Sequence, residues 1–233
     1  MQHSEILSLL NEKKIEISYS QYQEDLLFIY IFGKLGIEFP SYLDIGAHHP
    51  TKLSNTALLY ERGCSGINVE ANPYLITDFE KYRPRDCNLN LGIGLVEGQM
   101  KFYLIKDSPA LSTFEESQIE RLAQVGKTVE KVIKVDVVRI ESIIEKYCDG
   151  KFPDFLTIDA EGGDYGILKS INFNNYRPKL ICVEINSHGQ LLRSLDIEFL
   201  LFSNRYFHFG DIGGGLEGRN SLFIDIQFLP KLL

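Results

Sequence analysis

The segment Tyr42-Leu43-Asp44-Ile45-Gly46-Ala47-His48-His49-Pro50 constrains this chain most. A short apolar run ends in an acid, turns through a glycine and leads towards a helix. A second short run, Gly66-Ile67-Asn68-Val69-Glu70, ends in another acid 24 positions beyond Gly46. A nucleotide-binding α/β sheet begins this way: the glycine lets a ligand approach the backbone, and the acid on strand two meets a ribose diol. A dinucleotide site would carry a second glycine two positions on, so that a pyrophosphate can reach backbone N–H groups at a helix N-terminus. Here that position is His48, followed by His49 and Pro50. Two imidazoles and a residue without an N–H make a poor pyrophosphate cradle. A ligand with a ribose but no phosphate fits better, and S-adenosylmethionine is one.

From Tyr42 onward the pattern alternates. Strands are expected near 42–46, 66–70, 86–91, 154–159, 179–185, 204–209 and 221–226. Helices are expected near 54–62, 74–82, 139–148, 163–171 and 190–202. Such alternation predicts an α/β fold with a mostly parallel seven-stranded sheet and helices on both faces. Upstream, Leu26-Leu27-Phe28-Ile29-Tyr30-Ile31-Phe32 reads as an apolar helix ending near Gly36, with Ser20 as its cap. Residues 1–36 are therefore expected to form an N-terminal helical segment on the core, and 37–233 the main domain. The stretch 99–138 interrupts the alternation with two strand-like runs around a polar section, an insertion that reads equally as a lid or as a surface excursion.

The chain of 233 residues has a net charge of −8 and a pI near 5.2. An acidic chain is a poor partner for nucleic acid, which relies on basic patches. No apolar run approaches the ~20 residues that span a bilayer. The start, Met1-Gln2-His3-Ser4-Glu5, lacks the features of a signal peptide, so a cytoplasmic location is expected. Cys64, Cys87, Cys148 and Cys182 are scattered without a C-x-x-C, and read as small apolar residues in a reducing compartment.

Ligands of open α/β sheets sit at the carboxyl ends of the strands. Read in order, those ends are Asp44, Glu70, Asn88 to Gly92, Asp159 and Glu184. Buried unpartnered carboxylates are costly, so this set should face a polar cleft. Asp159 stands out as catalytic, with Glu184 and His188 beside it in sequence logic. Glu161 and Asp164 read either as site residues or as helix-start acids favoured by the dipole. Asp159, Glu184 and Asn186 form an oxygen-rich set suited to Mg²⁺. His48, His49 and His188 are candidate general bases. The glycine-rich run 210–220 reads as a substrate-closing segment or a simple turn.

Several blocks together resemble the FkbM-like family of S-adenosylmethionine-dependent methyltransferases. They are Ser20-Gln21, the 42–50 turn, Ser54-Asn55-Thr56, Gly66 to Pro73 and Arg83 to Asn90. The most specific are Leu156-Thr157-Ile158-Asp159-Ala160-Glu161-Gly162-Gly163-Asp164, Leu168-Lys169-Ser170, Arg177-Pro178-Lys179 and Val183-Glu184. The resemblance implies a Rossmann-like class I methyltransferase fold, and O-methylation in sugar, polysaccharide or natural-product pathways. It implies that Asp44 and Gly46 lie against the methionine half of the cofactor, that Glu70 holds the ribose hydroxyls, that Asn88, Asn90 and Leu91 border the adenine, and that Asp159 faces the reacting centre. Gln21, Ala47, His48, Ser54 and Ala71 are expected to bind the cofactor as well. His48-His49-Pro50 departs from the Asn-x-Gly of many members. The expected partner is a small or sugar-linked acceptor, and a homo-oligomer is compatible with the family. Two other readings stay open: an NAD-dependent or nucleotide-sugar oxidoreductase, and a non-catalytic methyltransferase-like scaffold subunit.

Overall fold

The computed structural model describes residues 17–185, 191–214 and 218–232. Seven strands form the main sheet: β1 Tyr42–Ile45, β2 Gly66–Val69, β3 Cys87–Leu89, β7 Phe155–Ile158, β8 Leu180–Ile185, β9 Tyr206–Gly213 and β10 Arg219–Asp225. Their spatial order is β3-β2-β1-β7-β8-β10-β9. The pairs from β3 to β8 are parallel, and β10 runs antiparallel to both neighbours. The mostly parallel seven-stranded expectation holds. The strand order reverses direction between β1 and β7, and open α/β sheets bind ligands at such a switch point.

Both faces are covered. On one, α1 Glu24–Leu35 packs Phe28, Ile31, Phe32 and Leu35 against Tyr42, Phe155, Leu180, Cys182, Leu222 and Ile224. Each such side chain contributes about 1.5–3 kcal/mol on full burial. On the other face, α5 Ile140–Tyr147, α6 Asp164–Ser170 and α7 Leu191–Ser203 cover Leu43, Ile45, Leu156, Ile158, Ile181 and Val183. Strand side chains alternate between faces. Tyr42 and Asp44, Phe155 and Thr157, and Cys182 and Glu184 therefore point to the α1 side. The parity that buries the apolar partners is what collects the acids on one face.

Two short helices complete that side, α2 Ala57–Glu61 and α3 Pro73–Tyr82. Asn72 caps α3 by accepting the Tyr74 N–H at 3.0 Å, with Pro73 in the first turn where its missing N–H costs nothing. At α1 the expected cap is corrected. Gln23, in a left-handed conformation at φ 66°, occupies the cap position, while Ser20 Oγ accepts the Asp25 N–H at 3.2 Å from further back. Asp25 is fully buried, and its carboxylate gathers the Ser18 and Ser20 hydroxyls and the Tyr19 N–H, tying 18–25 into one knot.

The strand expected at 86–91 is present but shorter, Cys87–Leu89, and stays in the main sheet. Just beyond it, β4 Gly92–Ile93 joins a second, three-stranded sheet of order β4-β6-β5. Its long members are β5 Gly98–Ile105 and β6 Val129–Val138, an antiparallel pair. Between them lies helix α4 Glu116–Gln124. Thr113 Oγ1 donates to the Glu161 carbonyl at 3.0 Å, fastening this insertion to the loop after β7. No helix among the described residues is long and apolar enough to cross a membrane. All four cysteines are free; Cys64 and Cys182 are buried, Cys87 and Cys148 partly so.

Candidate active site

One cavity of about 1030 Å³ opens over the carboxyl ends of β1, β2, β7 and β8. Its walls include Gln21, Asp44, Gly46, Ala47, His48, Ser54, Glu70, Ala71, Leu91, Asp159 and Glu184, eleven of the residues singled out in the sequence. The insertion supplies the opposite wall, from Met100 and Phe102 to Leu122 and Val125.

The turn after β1 needs its glycine. Gly46 sits at φ +80°, and a Cβ there would lie 1.8 Å from the Asp159 carbonyl oxygen, so β1 and the β7 tip can touch only without a side chain. His48 adopts φ 53°, a left-handed conformation histidine enters more readily than bulkier residues. The N–H groups of the turn are spent internally. Those of Gly46 and Ala47 donate to the Val69 carbonyl, that of His48 to Glu70 Oε2 at 2.8 Å, and that of His49 to the Ala47 carbonyl. Pro50 has none. A pyrophosphate would find no free backbone donor here, which removes the physical basis of a dinucleotide site.

Glu70 is nearly fully buried at the tip of β2. Burial pushes its carboxyl up to about 7, against the pull of the His48 and Asn72 N–H bonds. Each carboxylate oxygen has a second lone pair, so acceptor capacity remains on the cavity side. Asp44 is pushed up to about 6 by burial, opposed by the Thr56 hydroxyl, which donates to Oδ2 at 2.6 Å. Behind Thr56 stands Arg83, only 1% exposed, donating to Thr56 Oγ1 at 2.9 Å, to the Tyr42 hydroxyl at 2.8 Å and to Asp86. A guanidinium can only donate. Thr56 Oγ1 must therefore accept from Arg83 and turn its proton to Asp44, which fixes Asp44 Oδ2 as an acceptor. Nothing in the local sequence marks Arg83 and Thr56 for this role. Burial lowers the pKa of the His48 imidazole, as does the neighbouring His49.

Asp159, Glu161 and Glu184 each offer an oxygen, all within 4.8 Å of one another. Asp159 is exposed to the cavity, which opens to solvent. Desolvation by the surrounding protein first, and then the charge of Asp164, raise its pKa, while its hydrogen bond with Glu184 works the other way. Burial also raises Glu184, with Asp159 the leading neighbouring charge. A hydrogen bond between two carboxyls needs a proton, and Glu184 is its donor. Asp164 is structural: its oxygens accept the Ala160 and Gly162 N–H groups at 2.9 and 3.1 Å at the start of α6. Glu161, the residue the sequence left between site and cap, joins the acidic group and carries a strained φ of 47°.

Two expected adenine neighbours lie elsewhere. Asn88 accepts from Asn68 Nδ2 at 2.8 Å and donates to the Arg83 carbonyl, bracing β3 and not lining the cavity. Asn90 Nδ2 donates to the Glu70 and Ala71 carbonyls, holding the loop after β2 in shape. His188 and Asn186 lie outside the described residues. The metal set of Asp159, Glu184 and Asn186 is thus represented here by the two acids, with Glu161 beside them.

A sheet of this order, acids at the tips of β1, β2, β7 and β8, and a turn with no N–H to spare define a Rossmann-like, S-adenosylmethionine-dependent methyltransferase. A model of the methyltransferase FkbM domain matches residues 44–207, and the chain belongs to that family. Solved structures with a similar outline include a putative O-methyltransferase from Klebsiella pneumoniae, at 11% identity and TM-score 0.46, covering 95% of this chain and 89% of that one. Another is the O-methyltransferase from Bacillus cereus in complex with S-adenosylhomocysteine (SAH), at 14% identity and TM-score 0.44, with the same coverage. A TehB-like methyltransferase from Corynebacterium glutamicum aligns over 96% of both chains at 9% identity and TM-score 0.44. No curated protein matches the chain.

Proposed function

We propose that this methyltransferase works on a hydroxyl oxygen of a sugar or sugar-linked metabolite in the cytoplasm. Bound S-adenosylmethionine supplies an electrophilic methyl group on a sulfonium sulfur. Glu70 takes the ribose hydroxyls on its free lone pairs. Asp44, held by Thr56 and Arg83, faces the cationic methionine half, with the Gln21 amide nearby. Leu91 and Ala71 border the adenine.

Asp159 takes the proton of the attacking hydroxyl as the oxygen–carbon bond forms and the carbon–sulfur bond breaks. Its raised pKa brings a carboxylate closer to the range in which a base accepts such a proton. Glu184 keeps Asp159 ionised and oriented by donating to it. Positioning the hydroxyl about 3 Å from the methyl carbon supplies much of the rate. A Mg²⁺ on Asp159, Glu161 and Glu184 would stand in for the shared proton and polarise the hydroxyl.

The observation that carries this reading is the acidic trio opposite the Gly46 turn. Several acceptor oxygens converge there, suited to hydrogen-bonding a polyol. The test is incubation of the protein with methyl-labelled S-adenosylmethionine and hydroxyl-bearing sugars, with and without Mg²⁺, followed by mild alkali. Label that stays on the sugar is an ether and supports the reading. Label released as methanol is an ester and contradicts it.

A further inference from the structure

The cavity has two chemically different ends. The acids occupy one. The other, formed by the β4–β5 turn and the insertion, gathers large apolar side chains beside Arg121 and Gln124, and much of it faces solvent. Leu95 is 59% exposed, Val96 74%, Met100 44% and Val125 71%, and all four line this same cavity. Large apolar side chains gathered on an open rim mark binding surfaces.

Helix α4 connects the two ends. Gln118, Leu122 and Val125 all line the cavity, and positions at i, i+4 and i+7 share one helix face. At the Gln118 end the helix touches the loop after β7: a Cβ on Gly162 would lie 2.8 Å from Gln118 Nε2. One helix face therefore leads from the acids to the rim, from Gln118 through Leu122 to Val125, with Arg121 and Gln124 along its edges.

The cofactor does not account for this rim. If Glu70 holds the ribose, the purine belongs on the floor beside it, where Ala71, Phe102 and Phe114 pack together. A cavity of about 1030 Å³ also stands at the top of the range of about 300–1,000 Å³ for single small-ligand sites, leaving room for a second molecule.

We propose that the acceptor is amphiphilic: its hydroxyl-bearing head sits at Asp159 and Glu184, and an apolar acyl- or aryl-type chain lies between α4 and the β4–β5 turn, against Leu95, Val96, Met100, Leu122 and Val125. This rests on the methyltransferase reading above and narrows its acceptor. The chain buries apolar surface that the protein alone leaves in water, and each methylene covered strengthens binding.

The test is calorimetry on SAH-saturated protein with two probes below micelle-forming concentration, n-octyl glucoside and methyl glucoside. The octyl compound should bind at least tenfold more tightly. In Val125→Asp and Leu95→Asp proteins that advantage should vanish while SAH affinity stays unchanged. Equal binding of the two probes, binding of neither, or an octyl advantage that survives both substitutions would overturn the inference and leave the cofactor site standing. Failure of the wild-type protein to bind SAH would instead bring down the methyltransferase pocket, and this inference with it.

Discussion

The chain Arg83–Thr56–Asp44 gives a sharp test through Thr56→Val. The substitution keeps the shape of a fully buried side chain and removes the hydroxyl. Thr56 stands before α2, but its side chain makes no capping bond there, so the helix keeps its start. What is lost is the 2.6 Å bond to Asp44 and the acceptor for Arg83. A hydrogen bond to a charged group contributes about 1.5–3 kcal/mol. At about 1.4 kcal/mol per pKa unit, Asp44 should rise from about 6 to roughly 7–8. If ionised Asp44 faces the cationic end of the ligand, SAH affinity falls as pH drops below the pKa of the free protein. The variant should then bind about three- to thirtyfold more weakly than wild type at pH 6.5, and the two should converge near pH 9. Calorimetric titration from pH 5.5 to 9 reads this directly. Arg83 retains Asp86 and Tyr42, so the fold should survive with a loss of about 1–3 kcal/mol from the unsatisfied groups. Identical pH profiles in a folded variant would show that Asp44 is not held by Thr56, or does not meet the ligand.

Three further outcomes are expected. Glu184→Gln keeps a donor to Asp159 in place of a carboxyl that burial and its neighbours hold protonated. It should raise the melting temperature of the ligand-free protein at pH 8, by about 2–4 °C for each kcal/mol that protonating Glu184 costs the wild type on folding, and leave turnover largely intact. A lower melting temperature, or a collapse of turnover, would mean that Glu184 is not the proton donor. Gly46→Ala places a methyl 1.8 Å from the Asp159 carbonyl and should cost about 1–3 kcal/mol from overpacking alone, with loss of SAH binding; normal binding would refute the packing of β1 on the β7 tip. Asp44 and Glu70 have folded pKa values near 6 and 7, above their ordinary values, so their ionisation opposes folding. Their contribution is present below about pH 4 and is lost as pH rises towards 7, at up to about 3 kcal/mol each. Chemical denaturation of the ligand-free proteins should show Asp44→Asn with a flatter stability profile from pH 4 to 6 than wild type, and parallel profiles there would contradict the assignment.

Much of this architecture was legible because it depends on local pattern. The acids Asp44, Glu70, Asp159 and Glu184 were legible because open α/β sheets bind ligands at the carboxyl ends of their strands. The turn Asp44–Pro50 disfavoured a pyrophosphate through Pro50 and the bulk of His48, and the spent N–H groups supply the full reason. What escaped depends on contacts distant in sequence. Arg83 reaches Asp44 through Thr56, 27 residues away, and nothing local marks an arginine destined for burial. Asn88 and Asn90 sit at a strand tip, where adenine contacts are expected, yet their amides are used to brace β3 and the loop after β2. The insertion was recognised as two strands, but no pattern in it announces that Gly92 and Ile93 join it. Ser20 supplies the expected hydroxyl to the start of α1 from the wrong position, because Asp25 draws the chain back over the helix end.

The pocket suits S-adenosylmethionine, and its turn offers a dinucleotide no phosphate cradle. The most direct measurement is calorimetric titration of the purified protein with SAH, with NAD⁺ as the control and Glu70→Ala in parallel. Saturable one-site binding of SAH, no heat from NAD⁺ and at least a tenfold loss in the Glu70 variant are expected. Binding of NAD⁺, or SAH affinity indifferent to Glu70, would contradict this reading of the pocket.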